Sequence, residues 1–336
     1  TTTREIQCRQ DILSRVASES FVNGNKDEAS IRSLVQQRLG KFSSHQDNFY
    51  IFLALYCAVK DDDNNTSHHK KWAPWIQSLP RTFPQFTTAE KECLPYYAKY
   101  AADFQDEKCQ AFLSTAATLL GGCDQSLATW AFGAVKSRFW KAVDPTSGEG
   151  TSELVPIGDM FNHREPPNVA ITHDEESGCV NFIYKGNGDN DDNDGKDLFI
   201  TYGQPSNAHR FLATFGFVDV TMPYVWSNLA YPNNPFAADV PRMVFRAHDG
   251  HVSKIVWDAV LYALLQPTTT DPPSYTAQDH AKYKKHTLTV LKNHVTKELA
   301  ELQSLRGKLE HLAGTGDTGK HPNIPLIRQY HDFLTQ

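Results

Sequence analysis

The strongest constraint on this chain is a change of hydrophobic rhythm partway along it. From Glu28 to Trp140 the apolar residues fall mostly at the three- and four-residue spacings of helices. Beyond Trp140 they gather in short runs and alternations bounded by turn residues, as strands do. The β-rich stretch from Leu154 to Asp219 carries two short signatures about forty residues apart. One is Gly158-Asp159-Met160-Phe161-Asn162-His163. The other is Ile200-Thr201-Tyr202-Gly203-Gln204-Pro205-Ser206-Asn207, followed by a short helical run and Phe215-Gly216-Phe217-Val218-Asp219. The implied fold class is α+β.

The helical half punctuates itself clearly. Ile31, Leu34, Val35 and Leu39 lie at helical spacing between Glu28 and Leu39, with Gly40 as a stop. Phe49 to Val59 is almost continuously apolar and reads as a buried helix, with Asp47 as its candidate N-cap. Asp61 to Lys71 reads as a solvated loop, and His68-His69 within it as surface histidines. Thr87-Thr88-Ala89-Glu90 is a capping box. A helix is expected from Tyr96 to Leu119, ended by Gly121-Gly122. Another is expected from Ser126 to Trp140, capped by Asp124.

In the second half, strands are expected at Leu154 to Ile157, Asn168 to Thr172, Val180 to Tyr184 and Leu198 to Thr201. Gly186 to Gly195 reads as a flexible hairpin loop. Its Asp189, Asp191 and Asp194 do not follow the EF-hand order, so calcium is not the preferred reading. Further β-like pieces are Tyr224 to Leu229, Arg242 to Arg246 and His251 to Ile255. Trp257 to Leu265 is helical, and a breaker-rich linker runs from Pro267 to Pro273. From Thr276 a long helix carries Leu288, Leu291, Val295, Leu299, Leu302, Leu305 and Leu309 as one apolar stripe. Gly314-Thr315-Gly316 breaks it, and a short helix from Ile324 to Leu334 follows.

Composition narrows the function. A chain of 336 residues is long enough for a full core and two domains. The formal net charge of −6 disfavours a general nucleic-acid binder. No run of eighteen apolar residues occurs, so no membrane span is expected. Cys8, Cys57, Cys93, Cys109, Cys123 and Cys179 show no Cys-x-x-Cys spacing. That disfavours a zinc site and fits a reducing, intracellular compartment, with cytoplasm, nucleus and chloroplast left open. The chain starts at Thr1 with no initiator Met, basic n-region or apolar h-region, so no secretory signal is visible in it, and it is expected to be a processed or truncated product.

An Asn-His pair, a Tyr-Gly ending a strand, a Ser-Asn opening a helix and a Gly-Phe, in that order and spacing, resemble the C-terminal half of a SET methyltransferase domain. The similarity is to the subgroup of Rubisco large-subunit lysine methyltransferase and actin-histidine methyltransferase, and covers roughly Phe49 to Phe217. Trp72-Ala73-Pro74-Trp75-Ile76-Gln77-Ser78-Leu79-Pro80 resembles the family element that joins two helices of the insertion. Trp130-Ala131-Phe132-Gly133-Ala134-Val135-Lys136-Ser137-Arg138 resembles the helix whose arginine lies at the cofactor and substrate site. The resemblance implies a SET-type β-fold of short strands with a large helical insertion over about 49–140. The SET domain would span 1–222, with its catalytic half at 154–219, and a mostly helical lobe at 223–336 would dock a protein substrate. Two departures stand out. The Gly-x-Gly strand that opens such domains is absent before Phe49, and one extra residue precedes Gly216 compared with the actin-histidine type.

By the same resemblance the cofactor is S-adenosyl-L-methionine. It is held by Asn162 and His163, with Asp159 supporting that turn, Arg138 alongside, and Phe217 lining the channel or the core. Ser206 and Asn207 would cap the following helix, and the Asn would tie the segment into a threaded arrangement. Tyr202 would stand beside the sulfonium, accept weak C–H contacts and orient the attacking nitrogen. Permanent ionisation is not expected of it, since a phenol titrates near about 10. Methyl transfer needs nucleophile and carbon held close and collinear in a dry site. The expected activity is protein N-methylation of lysine, with histidine second, by a monomer with no nucleic-acid partner and no metal. The rival reading is a weak or inactive SET-fold binding module that recognises a partner protein.

Overall fold

A computed structural model describes residues 28–60, 67–143, 150–174, 179–185, 197–203, 208–220, 224–226, 244–246, 249–265, 274–315 and 318–335. The chain is mixed α and β, mostly helical with a few short strands. Cα packing divides it into two units. The first comprises Thr1–Pro84, Asp103–His163 and Pro167–Ile200; the second comprises Gln85–Ala102, Arg164–Pro166 and Thr201–Gln336.

The first unit is built round one apolar helix. α1 spans Glu28–Leu39, and a 3-10 segment, Gly40–His45, runs directly into α2 at Gln46–Lys60. Asp47 therefore lies inside the helix rather than capping it: with Gly40–His45 already helical, no chain end needs a cap there. Phe49, Phe52, Leu53 and Tyr56 on α2 are fully buried. α5 (Tyr96–Leu120) and α6 (Gln125–Arg138) supply Phe112 and Phe132 against them. Phe49 and Phe112 meet edge to face at 5.3 Å between centroids, and Phe112 and Phe132 at 5.4 Å, the geometry favoured by the ring quadrupole. The Tyr56 hydroxyl accepts the Asp124 N–H at 2.9 Å, while the Asp124 carboxylate caps α6 by accepting from Leu127 N at 3.0 Å.

Two elements depart from the sequence reading. α3 runs Ser67–Ser78, so helix begins within the expected loop and the Trp-rich element is the helix itself, with Pro74 inside it. The second is β1 at Phe139–Val143, which pairs antiparallel with β2 at Gly150–Leu154 where helix to Trp140 is expected. Phe-Trp-Lys-Ala-Val contains no breaker, and only the partner strand makes it extended. β3 (Asn162–His163) pairs in parallel with β6 (Phe199–Ile200), and β4 (Val169–Asp174) pairs antiparallel with β5 (Cys179–Tyr184). The expected 186–195 loop lies outside the described residues.

The second unit has two cores. In the larger, Leu94, Ala98, Phe211, Leu212, Leu309, Ile327, Tyr330 and Phe333 bring together the start of α5, α7 (Ala208–Arg210, widening into Phe211–Phe215), the end of α9 (Ala277–Gly314) and α10 (Ile324–Leu334). The smaller packs Val256, Ala259 and Val260 of α8 (Lys254–Leu265) on Leu291 of α9. β7 (Tyr224–Trp226) and β8 (Val244–Arg246) pair antiparallel. The apolar stripe expected along α9 divides. Leu291, Leu302, Leu305 and Leu309 are buried, whereas Leu288, Val295 and Leu299 keep 46%, 41% and 38% of their surface exposed. Among the described residues, no helix is long and apolar enough to cross a membrane.

The capping box at Thr87 opens the single turn α4 (Thr88–Lys91) and also anchors α10. Glu90, fully buried, accepts from Thr87 N at 2.8 Å, from Asn323 N at 2.7 Å and from Asn323 Nδ2 at 3.0 Å. Removing this acceptor strands buried donors, and Glu90→Ala is expected to cost about 3 kcal/mol in denaturant unfolding, with Glu90→Gln costing less.

His209 on α7 is likewise buried. It shares a hydrogen bond with the Tyr330 hydroxyl and lies 5.7 Å from the Tyr97 ring. Burial drops its pKa from the ordinary 6.5 to about 4. Because the folded pKa is depressed, the unfolded chain binds the extra proton between these values. Stability from neutral His209 is complete above about pH 6.5 and is lost as pH falls to about 4. The loss amounts to about 3 kcal/mol. The slope of unfolding free energy over this window is expected to flatten in His209→Gln, as followed by chemical denaturation at several pH values.

Candidate functional site

The first signature folds as a tight turn with a buried carboxylate at its centre. Gly158–Met160 forms one 3-10 turn, in which Asp159 N donates to Val155 O at 2.9 Å and Met160 N to Ile157 O at 3.0 Å. Gly158 is required by close approach: a Cβ there would meet Phe182 Cζ at 2.5 Å and Val155 Cγ1 at 2.9 Å. Phe182 on β5 stacks on Phe161 at 4.8 Å and 15°, which pins the turn against the β4–β5 hairpin. Ile157, just ahead, is held at φ 76° with 79% of its surface exposed. A β-branched residue in the left-handed region is strained.

Asp159 gathers three elements. Its side chain is wholly inaccessible to solvent. Its carboxylate accepts from Trp75 Nε1 of α3 at 3.1 and 3.2 Å, and from Arg138 Nη1 at the end of α6 at 3.3 Å. The same Arg138 nitrogen donates to the Asp159 carbonyl at 2.8 Å and lies 3.5 Å from Met160 Sδ. Burial raises the Asp159 pKa, opposed by the Trp75 hydrogen bond and the Arg138 charge. Arg138 Nε is buried with no hydrogen-bond partner among the described residues.

Asn162 and His163 leave this turn as β3. They pair in parallel with Phe199 and Ile200, the strand that runs into the second signature. Asn162 is exposed and His163 half-buried. Asn168 fixes the neighbouring strand: its Oδ1 accepts from Phe199 N at 2.7 Å and its Nδ2 donates to Asp197 O at 2.9 Å. Arg138, Asp159, Asn162 and His163 thus belong to the first unit.

Tyr202 and Phe217 belong to the second unit. The half-buried Tyr202 ring packs on Phe215 at 4.8 Å and on Phe217 at 6.2 Å, and Phe217 stacks on Phe211 at 5.5 Å. Phe211–Phe215 is a π-type turn closed by Gly216 at φ 74°, whose N–H donates to Phe211 O and Leu212 O at 3.0 and 3.1 Å. Such wide turns concentrate at functional sites. Gln204, Pro205, Ser206 and Asn207, and with them the expected cap and threaded segment, lie outside the described residues.

Two residues that matter escape sequence reading. Trp75 lies 84 positions from the carboxylate it binds, and nothing local marks the pair. Asn168 reads as an ordinary strand residue. No family model matches the chain, and no curated protein matches it. Among the described residues, no group of His, Cys, Asp and Glu is placed to hold a metal ion.

Two changes test this turn. Arg138→Met leaves a buried carboxylate without its cation and is expected to cost about 3 kcal/mol. Ile157→Gly relieves the left-handed strain and is expected to raise stability by about 1 kcal/mol. Both are read from denaturant midpoints.

Proposed function

We propose that this chain is an S-adenosyl-L-methionine-dependent protein N-methyltransferase of the SET type, acting on lysine side chains and, second, on histidine. One observation supports this reading most. Two signatures forty residues apart in sequence form neighbouring parallel strands, Asn162-His163 beside Phe199-Ile200, with Tyr202 two residues further along the chain.

The residues present fit the cofactor on the chemistry of their donors. Arg138 Nε is a buried donor lacking a partner among the described residues, suited to a carboxylate such as that of the cofactor's amino-acid end. Asn162 and His163 would hold the cofactor beside it, and Asp159 keeps Arg138 and the turn in place. When bound, the cofactor supplies an electrophilic methyl group.

The rest falls to the chain's own residues. A lysine nucleophile must be neutral, against a reference pKa of about 10.4. Tyr202 stands among Phe211, Phe215 and Phe217. An amine brought next to such a wall loses hydration, which favours its neutral form. The Tyr202 phenol is assigned to orient that nitrogen.

The test pairs binding with turnover. Calorimetry of the full chain with S-adenosyl-L-methionine is expected to show saturable binding. Mass spectrometry of a protein substrate is expected to show an added methyl group on lysine. Tyr202→Phe keeps the ring packing and is expected to lower kcat on the order of a hundredfold while leaving cofactor affinity unchanged. An unchanged rate in that variant removes the role given to Tyr202. Absence of both binding and methylation removes the enzyme reading.

A further inference from the structure

Part of the apolar stripe on α9 stays exposed. Leu288, Val295 and Leu299 remain 46%, 41% and 38% exposed, although the same helix buries Leu291, Leu302, Leu305 and Leu309. Lys284 and Lys292 stand four residues before and after Leu288, and Lys285 three before it. Residues three and four apart share a helix face, so these lysines stand beside the aliphatic stripe. Val295 follows Lys292 by three residues, and Leu299 follows Val295 by four.

The charge here is one-sided. From His280 to Lys297 the helix carries Lys282, Lys284, Lys285, Lys292 and Lys297 and no acidic residue, within a chain of net charge −6. Lys284, Lys285 and Lys292 are exposed and make no ion pair among the described residues. A solvated helix face ordinarily mixes both signs and carries few aliphatic side chains. This face does neither.

We infer that the Lys284–Leu299 face of α9 is a docking surface for an acidic amphipathic helical segment of a partner protein. The aliphatic stripe offers apolar area to the partner's own apolar residues, and the lysines meet flanking carboxylates. A nucleic-acid backbone would use the lysines but gain nothing from Leu288, Val295 and Leu299. An anionic membrane is bound by a helix that is free to bury its whole apolar face at the headgroup and acyl boundary. Here Leu291, Leu302, Leu305 and Leu309 of the same stripe are already buried within the fold, which leaves only the three partly exposed residues Leu288, Val295 and Leu299. This docking face gives a partner chemistry to the helical lobe that the resemblance expects to dock a protein substrate, and rests on that reading only for the partner's identity as a substrate. It requires no cofactor chemistry, so its test reads binding alone and stands or falls separately from methyl transfer.

The test is fluorescence anisotropy of the full chain with a labelled synthetic helix of Glu, Ala and Leu, its leucines at helical spacing. Controls are the same composition scrambled to destroy the apolar face, a Lys-for-Glu version, vesicles of phosphatidylcholine with phosphatidylserine, and single-stranded RNA. Saturable binding of the acidic amphipathic peptide alone is expected, weakening at high salt. Lys284→Glu with Lys292→Glu, and separately Leu288→Ser with Leu299→Ser, are each expected to weaken it roughly tenfold. Their melting temperatures should stay at the parent value, since all four side chains are substantially exposed. Should a variant melt early, the scrambled peptide and the salt dependence decide on the parent chain. Equal binding of the scrambled peptide, no saturable binding of the acidic one, or binding only to vesicles or RNA overturns the inference.

Discussion

The first unit depends on a carboxylate that solvent does not reach. Asp159 sits at the centre of a three-residue turn and holds α3 through Trp75 and the end of α6 through Arg138. A buried charge is costly, and its pKa is correspondingly raised. The compensation is geometric. The indole N–H is shared between the two carboxylate oxygens, and the guanidinium between the side chain and the carbonyl of the same residue. Together they fix where Asn162-His163 begins, and so where β3 can pair. A hydrophobic substitute of similar volume would fill the space without fixing the direction. Stability alone does not explain such a residue; orientation of the segment that follows does.

Strain belongs to the same construction. Ile157 is forced into the left-handed region so that Val155 can accept from Asp159 N across the turn. Gly158 allows Phe182 to press against the backbone. A glycine at 157 would meet the backbone requirement without penalty, but it would lose the exposed aliphatic side chain beside Met160.

Much of the helical half was legible because its signals are local. Capping at Thr87 and Asp124, the extents of α1 and α10, and the stop after α5 follow from residues within one turn of the boundary. β1 was not legible: Phe139–Val143 continues the composition of α6 and becomes a strand only because Gly150–Leu154 returns beside it. The start of α3 is not legible either: a proline and a polar start suggest a loop, whereas tertiary bonds such as Trp75 to Asp159 sustain the helix. At the candidate site, the identities of Arg138 and Asp159 were visible, but not their contact with each other. The aromatic surroundings of Tyr202 depend on a turn type that no propensity reveals. That turn, Phe211–Phe215, is of the π type and closes on Gly216 in the left-handed region.

The division of the α9 stripe shows where periodicity misleads. A run of Leu and Val at three- and four-residue spacing specifies one apolar face, and the default inference is that the chain buries all of it. Here two separate cores meet the helix. Leu291 packs on α8, while Leu302, Leu305 and Leu309 are buried further along, Leu309 in the larger core with α10. Between and beside them Leu288, Val295 and Leu299 retain exposed surface. Had the stripe served only to glue the lobe, the lysines around Leu288 would be neutral bystanders and acids would serve as well. Their one sign, along the part of the face left uncovered, is what a packing role does not require and a partner of opposite charge does.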